Sequence, residues 1–253
     1  MAAEMSGRGR DGFASALSLL TIVGRGAGAG PEAVGWFPVV GAALGGGLGV
    51  AWWAFGRVLP PLVAAGLVVA GDLVLTGMLH ADGLIDAADG LLPHLERAQR
   101  LEIMAEPQVG AFGVTAAFGV FVVRFGALAS IPHASVLADV LLIAAIWVAS
   151  RSLMALSMIR LSYVRDTGMA AAFGASGSWA HPVVPVAGLV AALAALLVWR
   201  PIAGGAVLAA EIAAFGAVLL VSERRLGGYT GDVLGAAGVV GETIALVLAS
   251  AKW

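Results

Sequence analysis

"WFPVVGAALGGGLGVAWWAFG", residues 36–56, runs without a charged side chain from Glu32 to Arg57. About 20 apolar residues is the length at which a helix crosses the hydrocarbon layer. Only helices and closed barrels satisfy their backbone polar groups there, and a barrel would show short alternating segments instead of continuous runs. Reading outward, further runs occupy residues 58–79, 110–131, 135–158, 182–199, 201–221 and 233–250. The chain has 253 residues, of which 60% are hydrophobic and 12% charged, and its mean hydropathy is +0.97. A soluble domain carries about a quarter charged residues. The sequence therefore predicts an all-α, polytopic transmembrane helical bundle of about seven spans, as a single domain over residues 1–253.

The net charge of -2 leaves no basic field of the kind that binds nucleic acid, so none is expected as a partner; membrane lipid is. With no cysteine there is no disulfide, thiolate metal site or cysteine nucleophile. Residues 1–30 carry arginines and a short apolar run like a signal peptide, but acidic residues are mixed in. The expectation is a segment that lies at the membrane surface or packs on the bundle through residues 13–23. Glycines, 36 in all, are read as helix-packing positions, as in "GAALGGGLGV" at 41–50.

The basic residues divide unevenly. One side of the membrane receives Arg8, Arg10, Arg25, Arg97, Arg100, Arg160, Arg165, Arg224 and Arg225; the other receives Arg57, Arg200 and Lys252. Nine against three is the asymmetry of the positive-inside rule. It predicts that the amino terminus and the segments around 80–109, 159–181 and 222–232 face the cytoplasm.

On that side, "LHADGLIDAADG" at 79–90 gathers Asp82, Asp86 and Asp89. A helix would place them within an arc of about 60°. Like charges so placed repel and raise one another's pKa, and a divalent cation removes the conflict. Magnesium takes hard oxygen ligands and commonly bridges a few carboxylates to substrate phosphates. The expectation is a phosphate-handling Mg2+ site at the membrane face; the alternative is a solvated acidic helix. His80 is either a ligand or substrate contact, or a polar residue marking the end of a span.

Further along, Glu102 and Glu106 stand four residues apart, and Arg97 and Arg100 could meet phosphate oxygens by forked hydrogen bonds or form ion pairs on a surface helix. "SERRLGGYTGDVLGAAGVVGE" at 222–242 supplies a glycine-rich turn followed by Thr230 and Asp232. Asp72, Arg124, Arg151 and Glu211 interrupt apolar runs and should face the bundle interior. Arg151 is expected to meet a phosphate or carboxylate, Asp72 to pair with Arg124, and Glu211 to lie near an interface.

"TGMLHADGLIDAADGL", "RLEIMAEPQVGAFG", "YVRDTGMAAAF" and "RRLGGYTGDVLGA" stand in the order and spacing of the cobalamin synthases, or adenosylcobinamide-GDP ribazoletransferases, which the chain resembles from residue 36 to Glu242. The resemblance implies a magnesium-dependent integral enzyme of a bacterial or archaeal cytoplasmic membrane. It would join adenosylcobinamide-GDP to alpha-ribazole or its 5'-phosphate and release GMP, the nucleotide-loop-assembly step of cobalamin biosynthesis. Self-association or association with other cobalamin-pathway enzymes is left open. By motif position Asp82, Asp86 and Asp89 resemble the metal-binding carboxylates, with His80, Glu102, Arg165 and Asp232 as further site residues. Glu106 stands where that family usually has aspartate, and Ala81 where leucine is commoner.

Two other readings fit less. A CDP-alcohol phosphotransferase also uses membrane-embedded aspartates and magnesium, but its pattern has Ala-Arg after the first Asp-Gly, where Leu84 and Ile85 stand here. A transporter could use Asp72, Arg124 and Glu211 at mid-depth, yet it predicts internal repeats, and the sequence has none.

Overall fold

The computed structural model describes residues 2–24, 30–165 and 182–253. Its helices are α1 (Ala2–Leu20), α2 (Phe37–Gly56), α3 (Pro61–Leu75), α4 (Leu79–Leu91), α5 (Arg97–Ile103), α6 (Ala111–Ser130), α7 (Val136–Arg160), α8 (Val183–Trp199), α9 (Pro201–Leu226) and α10 (Gly231–Ala249), with a 3-10 turn at Pro31–Trp36 leading into α2. Five are long and apolar enough to cross a membrane: Glu32–Gly56, Ala111–Ser130, Val136–Arg160, Pro201–Leu226 and Gly231–Ala249. The all-α polytopic bundle is thus the observed architecture. Two expected spans are shorter than read. The run at 182–199 is a helix of 17 residues, Val183–Trp199, and the run at 58–79 is a helix of 15 residues, Pro61–Leu75.

The second shortening has a local cause. At Gly77 and Met78 the backbone turns left-handed, with φ of 59° and 60°, and such residues cannot continue a right-handed helix. The Thr76 hydroxyl donates to the Asp72 carbonyl at 2.7 Å and closes the last turn of α3. The chain then leaves in α4 at 87° to α3. Hydropathy is blind to this corner, because Leu75, Met78 and Leu79 keep the run apolar.

The amino-terminal segment packs on the bundle, one of the two expected placements. Ala16 and Leu20 are buried, and the Phe13 ring meets Trp36 edge-on at 5.5 Å. Beyond α1, the Ile22 amide donates to the Leu75 carbonyl at 2.9 Å, which ties this segment to the corner between α3 and α4.

Glycine spacing explains the closest helix pair. A Cβ at Gly41, Gly45 or Gly49 would lie 2.7–2.8 Å from atoms of α7 at Trp147 or Val140, so α2 and α7 meet along this four-residue ladder. Gly46 and Gly47, on another face, meet nothing within 4 Å.

The charges at depth form one buried network. Arg124 donates to Asp72 at 2.9 Å, to Glu242 at 2.7 Å, to the Val239 carbonyl at 2.9 Å and to Thr243 at 3.0 Å. Trp147 donates to the other Asp72 oxygen at 3.0 Å. The expected Asp72–Arg124 pair is therefore present. Arg151 meets the second Glu242 oxygen at 2.6 Å and Ser150 at 3.0 Å. Of the two partners expected for Arg151 it has the carboxylate, inside the bundle. Glu211, expected near an interface, is fully buried instead, and neither of its oxygens has a hydrogen-bond partner among the described residues.

The ends of the bundle also sort the cations. Arg97 reaches the Leu226 carbonyl, Arg225 the Leu92 carbonyl and Arg165 the Met104 carbonyl, which gathers α4, α5 and the last turn of α9 at one end. Arg160 closes α7 at that end, whereas Arg57 and Arg200 follow the opposite ends of α2 and α8. Arg25 lies outside the described residues.

Candidate active site

The segment read as an acidic loop at 80–109 contains two helices, and α4 lies across the end of the bundle. Its neighbours include Asp232 in the first turn of α10 and Gly110 and Gly113 where α6 starts, and just past its end the Leu92 carbonyl accepts from Arg225 in the last turn of α9. The crossing is made possible by Gly83, where a Cβ would sit 2.9 Å from the Asp232 carbonyl and 3.0 Å from its Cα. Gly235 does the same against His80, one turn along, at 3.3 Å. Gly83→Val should push α4 off α10, separating Asp82 and Asp86 from Asp232. We expect activity at this site to fall at least tenfold; a variant with wild-type rate and melting temperature would show that the close approach is dispensable.

Asp82 is exposed, Asp86 is half-buried on the same helix, and Asp232 stands across from them. Burial, followed by the like charges of Asp232 and Asp82, pushes the Asp86 carboxyl up to about 6. Arg165 provides the counter-charge, with one nitrogen 3.1 Å from Asp232 and another donating to the Met104 carbonyl at 2.9 Å. Thr230 caps α10 by accepting from the Val233 amide at 3.2 Å, and its hydroxyl lies 3.3 Å from Asp232.

Asp89 is used differently. One of its oxygens accepts from the Gly110 amide at 2.7 Å and the other from the Gly113 amide at 2.8 Å, so it anchors the free amides at the start of α6. A Cβ at either glycine would collide with this carboxylate. The acidic face thus consists of Asp82 and Asp86 with Asp232 opposite, and Asp89 holds the floor beneath them. Glu102 is exposed on α5, and Glu106 is exposed beyond it.

Arg97 and Arg100, expected on substrate, are engaged with backbone. Arg97 Nε donates to the Leu226 carbonyl at 2.6 Å, and Arg100 Nη1 donates to the Gly90 and Leu91 carbonyls at 2.7 and 3.1 Å, closing the end of α4. Arg100→Ala should therefore lower the melting temperature by several degrees and leave the Michaelis constant for substrate within about twofold. A rise in that constant at unchanged melting temperature would return Arg100 to substrate binding. Of "YVRDTGMAAAF", residues 166 onward lie outside the described residues.

A cavity of about 110 Å³ adjoins the acidic group and shares Asp82 and Asp232 with it. His80 lines it, buried, and its Nδ1 has no partner among the described residues. The remaining wall is apolar and includes Leu20, Phe37, Met154 and Met158. Sequence reading passed over these residues. Met154 and Met158, one turn apart near the end of α7, were the only local signal.

The acidic group suits a magnesium site completed by substrate. Among the described residues no three acidic or imidazole groups close into a metal cage by themselves. Magnesium, however, characteristically takes one or two carboxylates together with water and substrate phosphates. The mutual repulsion that raises Asp86 is the conflict such a cation relieves.

The geometry agrees with the comparisons. The cobalamin-5-phosphate synthase family model matches residues 12–250. A relative from Chlorobaculum parvum, an adenosylcobinamide-GDP ribazoletransferase, is 36% identical over 254 residues, covering 96% of this chain and 95% of its own. Relatives of the same name from Chlorobaculum tepidum, 37% identical over 92% of this chain and 91% of its own, and from Thermosynechococcus vestitus, 36% identical over 84% and 83%, agree. No solved structure matches. A match that spans nearly every helix, and takes in both the aspartates of α4 and the Thr230–Asp232 turn that faces them, places the chain in one group: it belongs to the cobalamin-5-phosphate synthase family.

Proposed function

We infer that this protein is an adenosylcobinamide-GDP ribazoletransferase: it joins adenosylcobinamide-GDP to alpha-ribazole, or to its 5'-phosphate, and releases GMP. The observation that carries the reading is the convergence of Asp82, Asp86 and Asp232 with Arg165 at one end of the bundle, in a chain of this family. A ribose hydroxyl of the acceptor attacks the phosphorus nearer cobinamide. The bond from that phosphorus to the bridging oxygen breaks, and GMP departs with this oxygen. The hydroxyl proton passes to a carboxylate oxygen not engaged by the metal or to His80, whose Nδ1 has no partner among the described residues.

Transfer of this kind asks the protein for position and charge neutralisation. Arg165, held by Asp232 and by the Met104 carbonyl, is placed to meet phosphate oxygens at the mouth of the site. Asp82 and Asp86, with Asp232, would hold Mg2+, and Asp89 keeps α4 and α6 in register beneath them. Bound there, magnesium supplies charge neutralisation on the diphosphate and on the leaving phosphate. The cation-rich end of the bundle supports a cytoplasmic-facing site in the cytoplasmic membrane of a bacterium or archaeon. An amphipathic, bulky corrinoid is well served at such a surface.

The test is a membrane assay of adenosylcobinamide-GDP with alpha-ribazole, with and without magnesium. Transfer with GMP release that stops on chelation and returns on adding magnesium is expected. Equal product formation without any divalent cation would overturn the metal role, and no transfer at all would overturn the activity.

A further inference from the structure

Away from the acidic group, a groove of about 460 Å³ lies among α4, α6, α9 and α10, and every side chain in its wall is apolar. That volume falls within the roughly 300–1,000 Å³ of small-molecule sites. Alanines such as Ala214 and Ala217 leave the room, and Ala217 and Val221 at its rim are exposed. Of the five long helices α6 and α9 are the least buried, so the groove between them opens toward hydrocarbon. Along α9 its wall runs directly into charge. Ala214, Val218, Val221 and Arg225 follow one another at intervals of four, three and four, a single stripe of helix, and Arg224 is exposed beside its end. Arg225 Nη1 donates to the carbonyl of Leu92, which itself lines the groove, at 3.3 Å.

The arginines at this end are short of anions. Among the described residues none of Arg97, Arg100, Arg224 and Arg225 forms an ion pair, although Glu96 and Glu223 stand close in sequence. Burial, and after it the positive charge of Arg225, lowers the Arg100 guanidinium below its ordinary value, while Glu96 opposes. We propose that the groove holds an acyl chain of an anionic phospholipid whose phosphate rests on Arg224 and Arg225. Basic pockets beside lipid-facing helices suit such headgroups, and a guanidinium meets phosphate oxygens as a fork. A free phosphate or a nucleotide would meet the arginines and leave the apolar wall uncovered. A zwitterionic lipid would bring its own cation against them. Seated here, the lipid ties the end of α9 to α4, the helix that carries Asp82 and Asp86.

The experiment uses the full-length protein, stripped of lipid in a neutral detergent and titrated with dioleoyl phosphatidylglycerol, dioleoyl phosphatidylcholine or glycerol 3-phosphate. Bound phosphorus and melting temperature are measured. Phosphatidylglycerol should saturate at about one molecule per chain and raise the melting temperature by several degrees. Phosphatidylcholine should bind about tenfold more weakly, and glycerol 3-phosphate, a headgroup without a chain, should leave the melting temperature unchanged. Joint replacement by Arg224→Gln and Arg225→Gln should bring phosphatidylglycerol down to the level of phosphatidylcholine. Ala217→Trp, which fills the groove, should weaken both lipids together. Arg57→Gln, which removes a cation at the other end of the bundle, should alter neither. Equal binding of the two lipids by the wild type would overturn the proposal, as would an intact preference for phosphatidylglycerol in the double arginine variant. A response to glycerol 3-phosphate as large as that to lipid would also overturn it, by reducing the site to a headgroup pocket. If Ala217→Trp fails to fold, the lipid preference of the arginine variant decides alone.

Discussion

Asp86→Asn is expected to lower transfer by about three orders of magnitude while the protein is made, extracted and melts as the wild type does. Asp86 is half-buried, and its carboxyl is held up to about 6 by burial and by the charges of Asp232 and Asp82. An isosteric amide removes the repulsion, so folding loses nothing and gains slightly. On the proposed magnesium site, catalysis would lose a metal-facing oxygen and with it most of the charge neutralisation on the diphosphate. A cation in such a site supplies several kcal/mol, and ~4 kcal/mol corresponds to about a thousandfold in rate. Initial rates at saturating magnesium, set beside melting temperatures, check this. A variant that keeps more than a tenth of the wild-type rate with the same magnesium dependence would remove Asp86 from the site.

The second large effect lies in the membrane interior and concerns stability. Arg124 is buried and neutralises Asp72 and Glu242 together. Arg124→Gln would strand Asp72 at depth and leave Glu242 to Arg151 alone, and breaking a buried ion pair from one side costs about 3–5 kcal/mol. Little folded protein should survive extraction. Adding Asp72→Asn to that variant removes the stranded charge, and Trp147 can still donate to the remaining amide oxygen. The double variant should therefore melt higher than Arg124→Gln alone. If it melts lower, Asp72 contributes through something other than its charge on Arg124.

The spans were legible because the hydrocarbon layer imposes a length on any helix that crosses it, and α2, α6, α7, α9 and α10 answer to that constraint. The corner at Gly77 and Met78 was not, because a change of backbone direction inside an apolar run leaves composition unaltered. The glycine ladder on α2 was readable as packing, although only Gly41, Gly45 and Gly49 serve the α7 contact.

At the site, helical periodicity placed Asp82, Asp86 and Asp89 on one face, and α4 is indeed helical. What periodicity cannot carry is the partner across the face. The start of α6 approaches Asp89 and takes both its oxygens, while the start of α10 brings Asp232 opposite Asp86. Charge likewise marked Arg97, Arg100 and Arg151, yet each finds a carbonyl or carboxylate created only by the tertiary fold. Arg165 is the marked arginine whose partner, Asp232, lies within the acidic group itself.

The central claim is that a divalent cation sits between these carboxylates and the substrate's diphosphate. The direct measurement is a structure of the full-length protein with Mn2+ in place of Mg2+ and with GDP, located by the anomalous signal of the manganese. The account predicts a single strong peak or a close pair at Asp82 and Asp86, on the Asp232 side of α4, with oxygen ligands at about 2.1 Å and a phosphate oxygen among them. A metal peak elsewhere, with the nucleotide phosphates out of reach of these side chains, would contradict it.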